Sequence, residues 1–243
     1  MIMKTLNWKE VGRFLSVIQD MYVVIRDGLS SMGIGLEILE WITGDGKEKF
    51  VEEFLKPLGK QFLATQRIIV VDENTIRVNL DAPPILPFDG ATVKTNKGGG
   101  WVEVQKRADG LYIDGRKVIQ FRSECQKGDK VIKGYELRDE VKNLPVLHPN
   151  IMDALYEHGH LIPEEWKYDE NGNIIYTFFW AVRYGDSDGS GCVRYLSWRS
   201  SGARNQSGVW NKHYLWVTRV WCDRHPAAVL ASLSVEAEAE AGN

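Results

Sequence analysis

The sequence predicts an α+β protein, with a small N-terminal helical unit followed by a β-rich domain. Apolar residues recur at helical spacing through the first 66 residues. From Ile68 onward the chain breaks into short alternating segments rich in β-branched and aromatic residues, separated by turn sequences. Six of the nine tryptophans fall between Trp166 and Trp221, the composition of an aromatic β core. At 243 residues the chain is long enough for one large domain or two small ones. The expected division is a helical region at 1–66, a β-rich domain at 67–235 and a disordered polar tail, EAEAEAGN, at 236–243.

In the first region, Val11, Phe14, Leu15, Ile18, Met21, Tyr22 and Ile25 line one face of a helix over 8–26, and Gly28 closes it. A second short helix is expected at 35–42. A third starts near Lys47, with Phe50, Val51, Phe54 and Leu55 on one face, and Pro57 is expected to kink or end it. The segments RIIVV, TIRVNL, ATVKT, WVEVQKR, LYIDGRKVIQF and KVIKGYELR then read as strands between the turns DEN, APP, KGGG, ADG and KGD. A helix follows at Asn150 to His158, with Ile151, Ala154 and Leu155 on its apolar side, and IPEEWK forms a helical turn with Pro163 at its start. IIYTFFWAVRY is a near-continuous apolar strand. CVRYLSW, WNKHYLWV and PAAVLASLSV complete the sheet.

Charge excludes little except a phosphate-backbone binder. The net charge of −3 and pI near 6.0 give no basic footprint, so no nucleic-acid partner is expected. No apolar run is long enough to span a membrane. The N-terminus has too few basic residues for a signal peptide. The expectation is a cytoplasmic protein by default, or one displayed on a virus or cell surface by another route. Cys125, Cys192 and Cys222 are too widely spaced for a disulfide framework or a zinc motif.

Candidate sites reduce mostly to structure. Asp186-Ser187-Asp188-Gly189-Ser190 starts like a calcium loop but lacks the later ligand positions, so it reads as a hairpin turn with calcium dependence left open. His148, His158 and His160 read as helix-end histidines, since positions i and i+2 do not share a helix face. Gly33-Ile34-Gly35 has no preceding strand and no third glycine, and Lys97-Gly98-Gly99-Gly100 lacks the phosphate-loop pattern and reads as a hairpin loop. No catalytic set, metal site or cofactor motif is found, so the protein is expected to be no enzyme and to need no cofactor.

The segment VWNKHYLWVTRVWCDRHPAAVLAS sets Trp210, Trp216 and Trp221 at near-regular intervals among chemically mixed residues. All eleven non-Trp residues from His213 to His225 can be encoded by codons ending in a pyrimidine, a set reachable from an Asn codon whose adenines are replaced. Together with FFWAVRYGDSDGSGCVRYLSW, LPFDGATV, GLYIDGRKV, KGYELRDE and LPVLHPNIMDAL…LIPEEWK, this segment resembles the variable proteins of diversity-generating retroelements, over about residues 85–232. The similarity is to a group encoded by small-genome bacteria, archaea and their viruses.

The resemblance implies a C-type-lectin-like fold that displays one hypervariable surface, rewritten by a reverse transcriptase that errs at template adenines. It implies a scaffold of Trp180, Trp198, Trp210, Trp216, Trp221 and the Pro226-Ala227-Ala228 turn. The variable region would span about 193–225. Its ligand-facing positions would be Tyr195, Ser197, Asn211, His213, Tyr214, Leu215, Thr218, Arg219, Val220, Cys222, Asp223, Arg224 and His225. Lys212 departs from the pattern, because adenine replacement in an Asn codon cannot produce it. Arg199–Gly208 does not align, and its membership in the surface is left open. The implied partner is a protein or cell-surface ligand of variable identity, with a possible docking partner for the N-terminal helices. The alternative is a fixed-specificity carbohydrate-binding module using exposed tryptophans as stacking platforms. The position of the indole rings separates the two readings: buried rings favour the first, a coplanar exposed row the second.

Overall fold

A computed structural model describes residues 19–20, 22–24, 26–28, 31, 40–41, 43–199 and 208–231. The chain divides into two compact units, Met1–Leu63 and Ala64–Asn243. The helices expected at 8–26 and 35–42 fall largely outside the described residues, as do the tail at 236–243 and most of the loop after Arg199. The described residues between 19 and 31 are helical.

Helix α1 (Lys47–Phe50) runs through a π turn (Val51–Leu55) into α2 (Lys56–Thr65). Of the two expected effects of Pro57, ending the helix does not occur, and a π turn precedes the proline. A proline in a helix lacks one N–H and crowds the carbonyl four residues back. Here the turn before it is already widened, with the Lys56 N–H reaching the Val51 carbonyl five residues back.

The second unit is built on antiparallel sheet with a few short helices, and the protein is α+β. Its strands are β1 (Ile68–Val70), β2 (Thr75–Asn79), β3 (Thr92–Asn96), β4 (Trp101–Arg107), β5 (Gly110–Ile113), β6 (Arg116–Phe121), β7 (Ile132–Lys133), β8 (Tyr176–Gly185), β9 (Gly191–Arg199), β10 (Val209–Trp216), β11 (Val220–Trp221) and β12 (Ala227–Leu230). The main sheet runs β1-β2-β4-β5-β6-β12-β8-β9-β10, with β3 added against β8, while β11 and β7 form a separate pair. Asp114 (φ 48°) and Gly115 (φ 77°) make the tight turn from β5 to β6, the left-handed pair that a two-residue hairpin demands. The short β12 inserts between β6 and β8, its single register pair to Phe178 parallel.

Two expected features differ. GYELR is not a strand but the start of helix α3 (Gly134–Val141), entered directly from the two-residue β7. The Glu136 carboxylate accepts from the Lys133 backbone N–H, satisfying one of the donors at the helix start. Leu137 and Val141, four apart, are both buried. Lys97–Gly100 is not a hairpin loop either: it connects β3, paired with β8, to β4, paired with β2.

The central strands are covered on both faces, which is why they read as continuous apolar runs. Phe179 of β8, Leu196 of β9 and Ala228 of β12 pack with helix α4 (Pro149–Glu157) and with Ile76, Val78 and Val104. Their neighbours Phe178, Val193 and Ala227 point the other way, onto Trp180, Trp221 and α3. Past an irregularity in the β8–β9 register after Phe179, Val182, Tyr184 and Cys192 form a third cluster.

Candidate functional site

Strand β10 pairs with β9 in unbroken antiparallel register from Val209↔Arg199 to Trp216↔Cys192. Side chains alternate between faces. On the face towards α4 lie Trp210, Lys212, Tyr214 and Trp216, opposite Trp198, Leu196, Arg194 and Cys192. On the other lie Asn211, His213 and Leu215, opposite Ser197, Tyr195 and Val193. Trp210 and Trp216 thus share a side, as their six-residue spacing implies.

The α4 face carries a buried charge cluster. Asp153 sits in the middle of the buried stretch of α4 and is 4% exposed. Arg194 donates to both of its carboxylate oxygens, Nη1 to Oδ2 at 2.7 Å and Nη2 to Oδ1 at 2.8 Å, and a further bond runs from Nη1 to the Ile85 carbonyl at 3.2 Å. Lys212 Nζ donates to Oδ1 at 2.9 Å and lies 4.7 Å from the centre of the Tyr156 ring. Asp153 raises the Arg194 pKa against the opposing pull of burial. Nearby, His148 caps α4: its Nδ1 accepts from the Asn150 N–H at 3.0 Å while Nε2 meets Asn96 Oδ1 at 2.9 Å. Burial pushes its pKa down to about 4.

The opposite face is aromatic. Trp221 is fully buried, with its ring centre 4.2 Å from Phe178 and 5.0 Å from Trp180. Gly134 allows this packing, since a Cβ there would come within 2.4 Å of the Trp221 indole nitrogen and 2.5 Å of the Val217 carbonyl. Farther along the sheet, Tyr195 stacks on His213 and meets Tyr176 edge-on. His225 closes the row against Tyr176, Phe178 and Trp221. Its Nδ1 accepts from the Cys222 N–H at 3.1 Å, and burial pushes its pKa down to about 4. Beside this row an open groove of about 660 Å³ is lined by Arg122, Lys127, Glu165, Asp169 and Asp223 among others. Burial lowers the Arg122 pKa.

The residues assigned to a variable surface are thus not equivalent. His213, Thr218, Arg219 and Val220 are exposed. Tyr195, Asn211, Leu215, Cys222, Asp223, Arg224 and His225 are half-buried. Tyr214 is half-buried on the α4 side, packed on Phe88 and Trp216, away from the face of His213. Ser197 is buried although it shares the face of Asn211 and His213, because it lies on β9 between β8 and β10 and is flanked by Tyr176 and Asn211. Among the tryptophans assigned to the scaffold, Trp180 and Trp221 are buried, whereas Trp198, Trp210 and Trp216 are only half-buried near the free edge of the sheet. Trp198 and Trp210 meet edge to face at 69°, and Lys167 Nζ caps Trp198 at 3.9 Å. Among the described residues these rings form no coplanar exposed row.

The Asp186–Ser190 segment is a hairpin turn. Asp186 Oδ1 accepts from the backbone N–H groups of Asp188 (3.1 Å) and Ser190 (2.8 Å), and Gly189 has φ 83°. Among the described residues no cluster of three or more potential metal ligands occurs, and no helix is long and apolar enough to cross a membrane. Asp153 and Arg194 were missed in the sequence. Their signal was a single acid inside the apolar stretch IMDAL and a single base on the inward face of CVRYL.

Comparisons with protein-family models, with curated proteins and with solved structures give no match to this chain.

Proposed function

We propose that this protein is a non-enzymatic ligand-binding protein whose β10–β12 surface is diversified by a retroelement on a C-type-lectin-like scaffold. The observation that carries this reading is Lys212. It is the residue inside Asn211–His225, tryptophans aside, that adenine replacement in an Asn codon cannot supply. It is also turned inward, onto the buried Asp153 carboxylate, where variation would leave a network partner missing. Its strand neighbours in the pattern, His213 and Asn211, project to the other face, and Thr218 and Arg219 in the turn that follows, with Val220 at the start of β11, are exposed. Lys212 points in while His213, Thr218, Arg219 and Val220 are exposed, which supports the division a display scaffold requires; Tyr214 and Ser197 depart from it. Tyr, Arg and His are suited to the contact role, combining large area with hydrogen-bonding capacity.

The experiment is sequencing of the gene and its flanks across many isolates. The reading expects a non-coding near-repeat of the segment for residues 193–228 beside a reverse transcriptase gene. Differences between copies should fall at adenines of the repeat and spare codons 212, 216 and 221. An invariant segment with no such repeat overturns it and leaves a binding surface of fixed specificity.

A further inference from the structure

We infer that Arg194 and Lys212, both held by Asp153, form the charged side of an anchoring subsite for an aliphatic carboxylate carried by a protein ligand. The subsite is the cleft of about 230 Å³ lined by Ile85, Leu86, Pro87, Arg194, Lys212, His213 and Tyr214. Its charged residues, Arg194 and Lys212, lie outside the positions assigned to variation, whereas His213 and Tyr214 of its lining are among them; the inference needs only the residues present in this chain.

The argument starts from charge. Arg194 already neutralises Asp153 through two charge-assisted bonds, one to each oxygen, in the bidentate geometry that suits guanidinium and carboxylate. Lys212 adds a second cation to the same oxygen, so one carboxylate faces two positive groups. Asp153 and Arg194 are 5% and 4% exposed at the side chain, but Lys212, which lines the cleft, is 29% exposed, so of the three charged groups it is the one that solvent reaches. Asp153 Oδ1 is shared between the guanidinium and the ammonium, and the three groups together keep one positive charge that an added anion would neutralise. The ammonium carries three N–H donors, and one is used by Asp153.

The rest of the cleft is apolar. Ile85 and Leu86 are 37% and 47% exposed, in a segment that spends its backbone on the cluster: the Ile85 carbonyl accepts from Arg194. Tyr214 forms the remaining wall, supported by Phe88 and Trp216. One extra positive charge framed by aliphatic and aromatic walls selects an anion with an apolar chain beside it. A C-terminal Leu-like carboxylate and a Glu side chain share this chemistry.

The test is an NMR titration of the isotope-labelled full chain with N-acetyl-leucine, which presents a terminal carboxylate, and with N-acetyl-glutamate amide, which presents a side-chain one. N-acetyl-leucinamide is the neutral control. At least one carboxylate should shift the amides of Leu86, His213 and Tyr214 in a saturable manner, and the one that binds more tightly identifies the source. The neutral amide should bind at least about tenfold more weakly, the loss expected for one charge-assisted hydrogen bond. Lys212→Met leaves the neutral Arg194–Asp153 pair in place and should stay folded while losing the carboxylate preference. Lys212→Arg should keep it. Equal binding of acid and amide, an undiminished preference in Lys212→Met, shifts that map elsewhere, or no saturable shift with either carboxylate would each overturn the inference.

Discussion

At the residue scale, two histidines show how burial fixes protonation. His148 must accept at Nδ1 from the Asn150 N–H and donate at Nε2 to Asn96, so only the neutral tautomer fits. A proton added at Nδ1 would face another donor. His225 repeats the logic with the Cys222 N–H. Both folded pKa values lie near 4, below the ordinary 6.5, so the unfolded chain binds more protons between those values. The stability these residues contribute is therefore complete above pH 6.5 and is lost as pH falls towards 4. For the almost fully buried His148 the loss has an upper bound of about 3 kcal/mol. His148→Asn keeps a good N-cap and removes the titration. Chemical denaturation at pH 7 and pH 4.5 should show a smaller drop for the variant than for the parent chain. An equal drop would mean that His148 does not titrate with unfolding.

At the element scale, strands were more legible than the charge cluster they carry. β8, β9 and β10 could be read because apolar residues fill both faces or alternate cleanly. GYELR could not be read, because its apolar spacing suits a strand or a helix equally, and packing decides: Leu137 and Val141 are buried together only in the helix. The pairing of Asp153 with Arg194, forty-one residues apart, is set by the tertiary fold, and no local pattern encodes it. The same dependence on neighbours makes Gly134 a sharp test. It starts α3, where alanine would ordinarily be welcome, yet an added methyl meets the Trp221 ring and the Val217 backbone. Gly134→Ala should destabilise the protein by about 1–3 kcal/mol, as overpacking does, measured by denaturant unfolding. An unchanged midpoint would show that the Trp221–Gly134 contact is loose.

At the scale of the whole molecule, the second unit includes β1 and β2. Ile76 and Val78 of β2 are buried in the core, and β2 forms a ladder with β4. A chain starting at Gln66 should unfold cooperatively, while one starting at Asp81 should lose its cooperative transition, both read by circular dichroism on heating. A cooperative melt from the shorter chain would show that β1 and β2 are dispensable.

The central claim is that a rigid aromatic interior carries a surface free to change, and thermal unfolding of two variants side by side tests it most directly. Trp221 is fully buried between Phe178, Trp180 and His225, so Trp221→Ala should cost about 3–5 kcal/mol. In a domain of this size that lowers the melting temperature by roughly 6–20 °C. His213, Thr218 and Arg219 are exposed. Each substitution by alanine should stay within about 0.5 kcal/mol, so the triple variant should melt within a few degrees of the parent. A triple variant that melts as low as Trp221→Ala would contradict the account, because those side chains would then belong to the core and could not serve as a replaceable binding face.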